Sequence, residues 1–218
     1  MERNEEEALI TNILENQEPL IVTDVHPGST PLYLGLHYLK ANELDTAQVV
    51  IFTPLETYYT EKEDEDEEES NQVHVNLCVD EWLVQNGNLG KIARLLNRIQ
   101  IVRVKDLAQL AVCLATFPAT NLGQTTQPAL LIIRDMSLLS TSSVPQAPAS
   151  PTRSDSGHSL DSMAEKRLSA HVAIIGHALA AVDHLTGSRL LVLDAGLELP
   201  SVKILGCYLQ ERPLLSNP

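Results

Sequence analysis

The stretch Leu96–Leu139, LNRIQIVRVKDLAQLAVCLATFPATNLGQTTQPALLIIRDMSLL, decides the fold of this chain. Its first part, Arg98–Val104, is short and rich in β-branched residues, which predicts a strand. Asp106 can cap a helix over Leu107–Phe117 that carries Leu107, Leu110, Val112 and Leu114 on an apolar face. Ala129–Ile133 is a continuous apolar run, typical of a strand buried on both faces of a parallel sheet. Together these elements predict a βαβ unit.

The rest of the chain extends this pattern. Further strands are predicted at Glu18–Thr23, Gln48–Phe52, Arg189–Asp194 and Val202–Leu209. Further helices are predicted at Glu2–Asn16, Leu32–Asn42, Leu89–Leu96 and Met163–Leu185, the last with Leu168, Val172, Ile175, Leu179 and Val182 at helical spacing. The sequence therefore predicts one α/β domain over residues 1–218, with a mostly parallel, twisted sheet flanked by helices.

Two segments are predicted to be loops. The run Glu61–Glu69 holds eight acidic residues and one lysine, and it centres an acidic disordered loop at 60–72. This loop either keeps the surface solvated or serves as an interaction tail. The segment Ser140–Ser162 is rich in Ser and Pro and has little to bury, which predicts a second disordered loop at 140–162.

Composition narrows the possible classes of function. The chain has 218 residues, 44% of them hydrophobic, and a formal net charge of −14. A charge of this sign argues against strong autonomous binding to nucleic acid, which depends on Lys and Arg contacting phosphates. Three cysteines without metal spacing indicate reduced thiols in an intracellular protein. The acidic start is unlike a signal peptide, and we expect no membrane segment because no apolar run approaches the length of a bilayer span.

The loop before the predicted helix Leu32–Asn42 stands where a nucleotide hydrolase carries its phosphate loop. A phosphate loop of the form G-x-x-x-x-G-K-[ST] uses glycine backbone N–H groups, a lysine and a hydroxyl to bind phosphates and Mg²⁺. Here only a vestige is present, made of Pro27, Gly28, Ser29 and Thr30. The lysine is missing, and Pro31 removes a backbone donor. We expect no ordinary ATP hydrolysis and no cofactor.

Asp135 follows the buried strand Ala129–Ile133 at the edge where open α/β sheets bind ligands. It is either a vestige of the aspartate that helps to hold Mg²⁺ in P-loop hydrolases or a polar residue that ends a strand. No metal site is predicted elsewhere. His171, His177 and His184 share one predicted helix, but their spacings differ from the i, i+4 pair of metal-binding helices.

Five basic residues are candidates for contact with DNA: Lys91, Arg94, Arg98, Arg103 and Lys105. The first three follow spacings of a single helix face. Such a face either contacts phosphates or is an ordinary solvated surface that balances the acidic loop.

The order of these elements resembles the RecA-like core of the eukaryotic recombinase paralogues. Leu96–Leu114 resembles the strand and helix between their two nucleotide motifs, Pro128–Leu139 their Walker B strand, and Ala164–Asp194 their long helix and the next strand. Pro19–Leu39 is a weaker match at the Walker A position. Arg134 stands where the family places its aspartate, with Asp135 one residue late, a shift that on a strand points the side chain to the other face.

With these departures the chain is similar to the small, nucleotide-motif-poor paralogues of the Shu complex. The resemblance implies a nuclear, non-catalytic subunit that pairs with another RecA-like subunit and a recombinase and reaches single-stranded DNA through the complex. The Elongator accessory subunits are a second similar family, and they would imply a role in modification of the tRNA wobble uridine. A small active ATPase with an unusual phosphate loop is a third alternative.

Overall fold

A six-stranded parallel sheet forms the centre of the protein. The computed structural model describes residues 18–23, 30–42, 47–55, 58–60, 72–74, 89–117, 129–141, 159–183 and 187–211. Its strands are β1 (Leu20–Val22), β2 (Gln48–Pro54), β3 (Tyr58–Thr60), β4 (Gln72–His74), β5 (Ile99–Val104), β6 (Ala129–Arg134), β7 (Arg189–Leu193) and β8 (Gln210–Glu211). The order across the sheet is β5-β2-β6-β7-β1-β8, and every pairing in it is parallel. β3 and β4 form a separate antiparallel pair.

Helices cover both faces of this sheet. They are α1 (Thr30–Ala41), α2 (Leu89–Leu96), α3 (Leu107–Thr116), α4 (Met136–Thr141), α5 (Ser159–Asp183) and α6 (Leu199–Leu205). Leucines of α1 share a buried cluster with Leu130, Ile132 and Leu191 of the sheet. Residues of α3, α4, α5 and α6 form a second cluster with Leu131, Ile133 and other side chains of the opposite face. The prediction of an α/β fold with a parallel sheet between helices is confirmed.

The elements of the deciding stretch form where the sequence predicts them. The Asp106 carboxylate accepts a hydrogen bond from Gln109 N at 2.8 Å and thereby caps α3. All six residues of β6 are buried, as expected for a central strand, whereas β5 lies at the sheet edge and is largely exposed. Both strands pair with β2, so the predicted βαβ unit exists with one strand inserted between its two members.

The predicted strand Val202–Leu209 is wrong. This segment belongs to α6 and the turn after it, and the last strand is only the two-residue β8. The buried residues Val202, Leu205 and Leu209 recur every three or four positions, which is a helical period. Pro200 in the first turn also favours a helix, since its fixed φ suits that position.

Two predicted helix faces are also displaced. Val112 is 61% exposed because it lies on the side of α3 opposite to Leu110 and Leu114. The buried line of α5 runs through His171, Ile174, Ile175, Ala178 and Ala181, and most of the predicted stripe flanks it half-buried.

Most of both predicted loops falls outside the described residues, although strands and helices reach into their ends. β3 ends at Thr60 and β4 begins at Gln72, while α4 includes Ser140 and α5 starts at Ser159. The predicted helix Glu2–Asn16 also lies outside the described residues. In the part of the chain that the structure describes, no helix combines the length and the apolarity that crossing a bilayer requires.

Candidate functional site at the carboxyl edge of the sheet

Three neighbouring strands, β6, β7 and β1, end side by side at the carboxyl edge. Arg134 is in register with Leu193, and Leu193 is in register with Val22. Beyond the strands, Asp135 N donates to Leu193 O at 2.9 Å and Asp194 N donates to Val22 O at 3.0 Å. Two aspartates therefore follow adjacent strands at the edge where open α/β sheets bind ligands.

Arg134 places a buried positive charge at this edge. Alternation along β6 puts it on the same side of the sheet as Leu130 and Ile132, the side covered by α1. The residue is only 2% exposed, and its Nε lies 2.8 Å from Asp135 Oδ2. One terminal guanidinium nitrogen is buried without a hydrogen-bond partner among the described residues. The edge thus holds a guanidinium–carboxylate pair that is shielded from water.

The backbone at Asp135 explains why these neighbouring side chains meet. Asp135 has a φ of 51°, in the left-handed region that aspartate tolerates better than most residues. The strand ends at Arg134, and this turn directs the chain into α4, where Leu138 N donates to Asp135 O at 3.1 Å. The strand alternation that underlies the expectation of opposite faces ends at Arg134, and the charged groups of Arg134 and Asp135 meet at 2.8 Å.

Asp194 is the second buried acid at this edge, and its carboxylate is fully engaged. It accepts hydrogen bonds from Ser137 N and Ser137 Oγ, both at 2.7 Å, and from Gly196 N at 3.0 Å. Burial raises the pKa of Asp194, with a smaller contribution from Asp135, while the three hydrogen bonds oppose this change. The carboxylate joins the start of α4 to the loop between β7 and α6.

Gly196 fits this network without a steric clash. A Cβ at this position would lie 2.5 Å from Ser137 Oγ, closer than any normal contact. Only glycine lets the loop after β7 approach Ser137 while its N–H donates to Asp194.

The predicted phosphate-loop vestige is largely outside the described residues. This applies to Pro27, Gly28 and Ser29, and also to the side chain of Thr30, the first residue of α1. Pro31 is buried in the first turn of α1, a position where the missing N–H of proline is tolerated.

The candidate DNA-contact residues lie along the β5 edge, but they do not form one helix face. α2 ends at Leu96, and Arg98 lies in the turn after it, where its Nε donates to Ala47 O at 2.8 Å. The side chains of Arg94, Arg103 and Lys105 are exposed, and that of Lys91 lies outside the described residues. Arg98 and Arg103 are separated by roughly 16 Å along the strand, given about 3.3 Å per residue. The structure therefore divides the set between the two ends of β5.

His171 is a buried polar residue that the sequence suggested only as one of three helix histidines without metal-binding spacing. It is 4% exposed, and neither ring nitrogen has a hydrogen-bond partner among the described residues, whereas His177 of the same helix is exposed. The sequence signal was a histidine three residues before Ile174 and seven before Ala178, on the line that α5 buries. Within the described ranges no three His, Cys, Asp or Glu side chains gather in an arrangement able to hold a metal ion.

Comparison with known proteins adds no family. No protein-family model matches the chain, and no curated protein matches its sequence.

Proposed function

We propose that this chain is a non-catalytic RecA-like paralogue that serves as a scaffold subunit of a complex assisting recombinase filament assembly on single-stranded DNA. The observation that carries the non-catalytic part is the buried guanidinium of Arg134, paired with Asp135 at the end of the central strand β6.

The chemistry of a P-loop hydrolase requires the opposite charge at this place. An aspartate there helps to hold Mg²⁺, which neutralises the charge that develops on the transferred phosphoryl group. In this chain the Arg134 guanidinium already occupies the near oxygen of the Asp135 carboxylate at 2.8 Å. A divalent cation would have to displace that contact and then sit beside a fixed positive charge, which is unfavourable in a buried site.

The state of Asp194 supports the same proposal. Its three hydrogen bonds from Ser137 and Gly196 use the carboxylate to hold two chain segments together. A metal ligand in that position would lose those bonds and leave two backbone N–H groups without their partner. Both acidic groups at the edge therefore have structural partners.

The order of the strands supports the RecA-like part. In the two common doubly wound orders, 3-2-1-4-5-6 and 2-1-3-4-5, the first strand lies next to the second. Here β1 is separated from β2 by β6 and β7. β7 lies between β1, which corresponds to the Walker A strand in the resemblance, and β6, which corresponds to the Walker B strand, so the order departs from both doubly wound patterns.

The scaffold role is supported by the exposed edge at β5. Among the described residues β5 has only β2 as a neighbouring strand, and Ile101 on it is 37% exposed. An uncovered edge strand is a place where another chain can add its own strand or helix. The exposed Arg103 and Lys105 near the end of this edge add positive charge to a strongly acidic protein.

The test begins with a complex isolated from native cells on the tagged full-length chain, followed by identification of the bound proteins. We expect a second RecA-like subunit together with a recombinase. Recovery of Elongator subunits instead would refute the recombination role and support tRNA modification. Recovery of neither class would also contradict the scaffold role proposed here.

The purified chain then tests the non-catalytic part. We expect its rate of ATP hydrolysis to equal that of the Gly28→Ala/Thr30→Ala double variant, with or without Mg²⁺. A wild-type rate above that of the double variant would show that the phosphate loop works and would support the small-ATPase alternative.

A further inference from the structure

A cleft of about 210 Å³, lined by both polar and apolar residues, lies on the face of the sheet opposite to α1. Its walls come from α4, from α5 and from the loop and first turn of α6. Ser137 and Gly196 belong both to this wall and to the Asp194 network, so the hydrogen bonds of Asp194 hold one side of the cleft in place. The volume corresponds to about seven waters at roughly 30 Å³ each, which is room for a small molecule.

Helix α5 presents two unsatisfied nitrogen groups to this cleft. Ala164, Arg167 and His171 lie at spacings of three and four residues on one face of the helix, and all three line the cavity. Arg167 Nε and both ring nitrogens of His171 are buried and have no hydrogen-bond partner among the described residues. Buried polar groups without partners are rare in native proteins, and such groups call for a water or a ligand.

The charge around His171 favours an acceptor as the missing partner. Burial lowers the pKa of His171, Arg167 lowers it further, and Glu198 opposes them. Among the described residues, Arg167 and Glu198 are the charged groups that act on the ring: α4 contributes only Ser, Thr, Leu and Met residues, α3 has no charged residue, and Asp194 lies behind Ser137. A neutral imidazole donates one hydrogen bond, and the permanently charged guanidinium of Arg167 donates several.

Two of the three serine hydroxyls that line the cleft, those of Ser137 and Ser140, are already engaged as donors. Ser137 Oγ donates to Asp194 Oδ1 at 2.7 Å, and Ser140 Oγ donates to Ser137 O at 2.6 Å. Among the described side chains that line the cleft, those with buried nitrogens lacking a partner are Arg167 and His171. No described carboxylate forms a salt bridge with Arg167, although Glu198 lines the same cleft.

We infer that this cleft binds a small oxyanion, a sulfate- or phosphate-like group or a short carboxylate, through Arg167 and His171. A planar guanidinium is well suited to contact two oxygens of such a group, and an imidazole N–H supplies a third contact. Glu198 at the same cleft opposes anion binding, so binding depends on direct contacts with Arg167 and His171. The inference concerns a site apart from the nucleotide edge and does not depend on the proposed function.

The test uses the full-length protein, with sulfate and malonate as probes and chloride at equal ionic strength as the control. Neither probe depends on phosphate titration, and the pair separates a tetrahedral from a planar oxyanion. Calorimetry gives the affinity, and NMR follows the imidazole resonances of His171 and of the exposed His177. We expect at least one probe to shift the His171 resonances and raise its pKa, while those of His177 stay unchanged.

Two matched variants on α5 separate a site from general charge attraction. Arg167→Gln and Lys166→Gln remove the same charge from adjacent positions, and Lys166 is exposed. We expect Arg167→Gln to weaken anion binding at least tenfold and Lys166→Gln to change it less than twofold. If Arg167→Gln does not fold, the response of the His171 resonances in the wild-type protein still tests whether the cleft binds the anion.

Two results would overturn the inference. The first is that neither sulfate nor malonate shifts the His171 resonances, which would mean that the cleft holds water alone. The second is that Arg167→Gln and Lys166→Gln weaken binding equally, which would mean that the anions respond only to net charge.

Discussion

Asp194 and His171 are two polar side chains buried to a similar extent, 1% and 4% exposed, but they differ in their hydrogen bonding. Asp194 accepts three hydrogen bonds from Ser137 and Gly196. His171 makes none within the described residues, and it borders a cleft whose wall those hydrogen bonds support. Two neighbouring buried polar groups thus differ in whether described protein groups form hydrogen bonds with them.

This difference distinguishes a buried polar group that stabilises the fold from one that is suited to bind a ligand. A satisfied buried carboxylate stabilises the chain segments that it joins, and removing it leaves buried donors without acceptors. An unsatisfied imidazole destabilises the protein alone and becomes favourable only when something binds it. Substitutions at the two residues should therefore change stability in opposite directions.

The largest effect is expected at Asp194. Asp194→Ala should lower the free energy of unfolding by about 3 kcal/mol, because Ser137 N and Gly196 N lose a charged acceptor. Asp183→Ala removes an exposed carboxylate from the end of α5 and should change stability by less than about 0.5 kcal/mol. Urea unfolding of the two variants measures this contrast, and equal stabilities would mean that the network is not structural.

A smaller loss is expected from Gly196→Ala. Its Cβ would meet Ser137 Oγ at 2.5 Å, so the variant should lose about 1–2 kcal/mol, typical of overpacking. In the Ser137→Ala background the same change should have less effect, because the obstructing oxygen is gone. Gly176→Ala is the control: no atom lies within 4 Å of a Cβ there, so a gain of about 0.5–1 kcal/mol is expected in this helix interior. Thermal or urea unfolding of Gly196→Ala, Ser137→Ala and the double variant measures this coupling. If the losses of stability of the two single variants simply add in the double variant, the steric explanation is contradicted.

The smallest effect, and the one of opposite sign, is expected at His171. At pH 7 His171→Leu should be neutral or stabilising by up to about 1 kcal/mol, because it removes an unsatisfied buried group. Folding lowers the pKa of His171 below its ordinary value of 6.5. The stability associated with its neutral form is therefore present above pH 6.5 and is lost as the pH falls through the lower folded-state pKa.

Unfolding curves at several pH values check this prediction. Between pH 7.5 and 5 the wild-type protein should lose more stability than His171→Leu, while the exposed His177→Leu should follow the wild type. If wild type and His171→Leu showed the same pH dependence, the imidazole would be as easily protonated in the folded state as in the unfolded chain.

The main elements of the fold follow from local patterns in the sequence. The helical and strand periods around Asp106 and Ala129 specify α3, β5 and β6 nearly to the residue, because propensity, capping and turn residues act over a few positions. The same reasoning failed for Val202–Leu209, where apolar residues at helical spacing resemble a short buried strand. It also displaced the buried face of α5 by about one position, since burial depends on which surface a helix meets.

The candidate site was predictable only in part. The sequence placed Asp135 at the carboxyl edge and showed that a lysine is missing before α1. It did not indicate that Arg134 is buried and contacts Asp135, because that contact depends on a left-handed turn at the strand end. It also gave no reason to connect His171 with Arg167 as a pair of unsatisfied groups around a cleft.

The sequence by itself determined the α/β class, the boundaries of most elements and the absence of a complete phosphate loop, since these properties depend on residues that are close together along the chain. Only the tertiary structure decided that β7 lies between β1 and β6, that Asp194 binds Ser137 and that His171 is buried without a hydrogen-bond partner among the described residues. The physical reason is distance along the chain. Ser137 and Asp194 are 57 positions apart, and no local pattern specifies which distant groups packing will bring together.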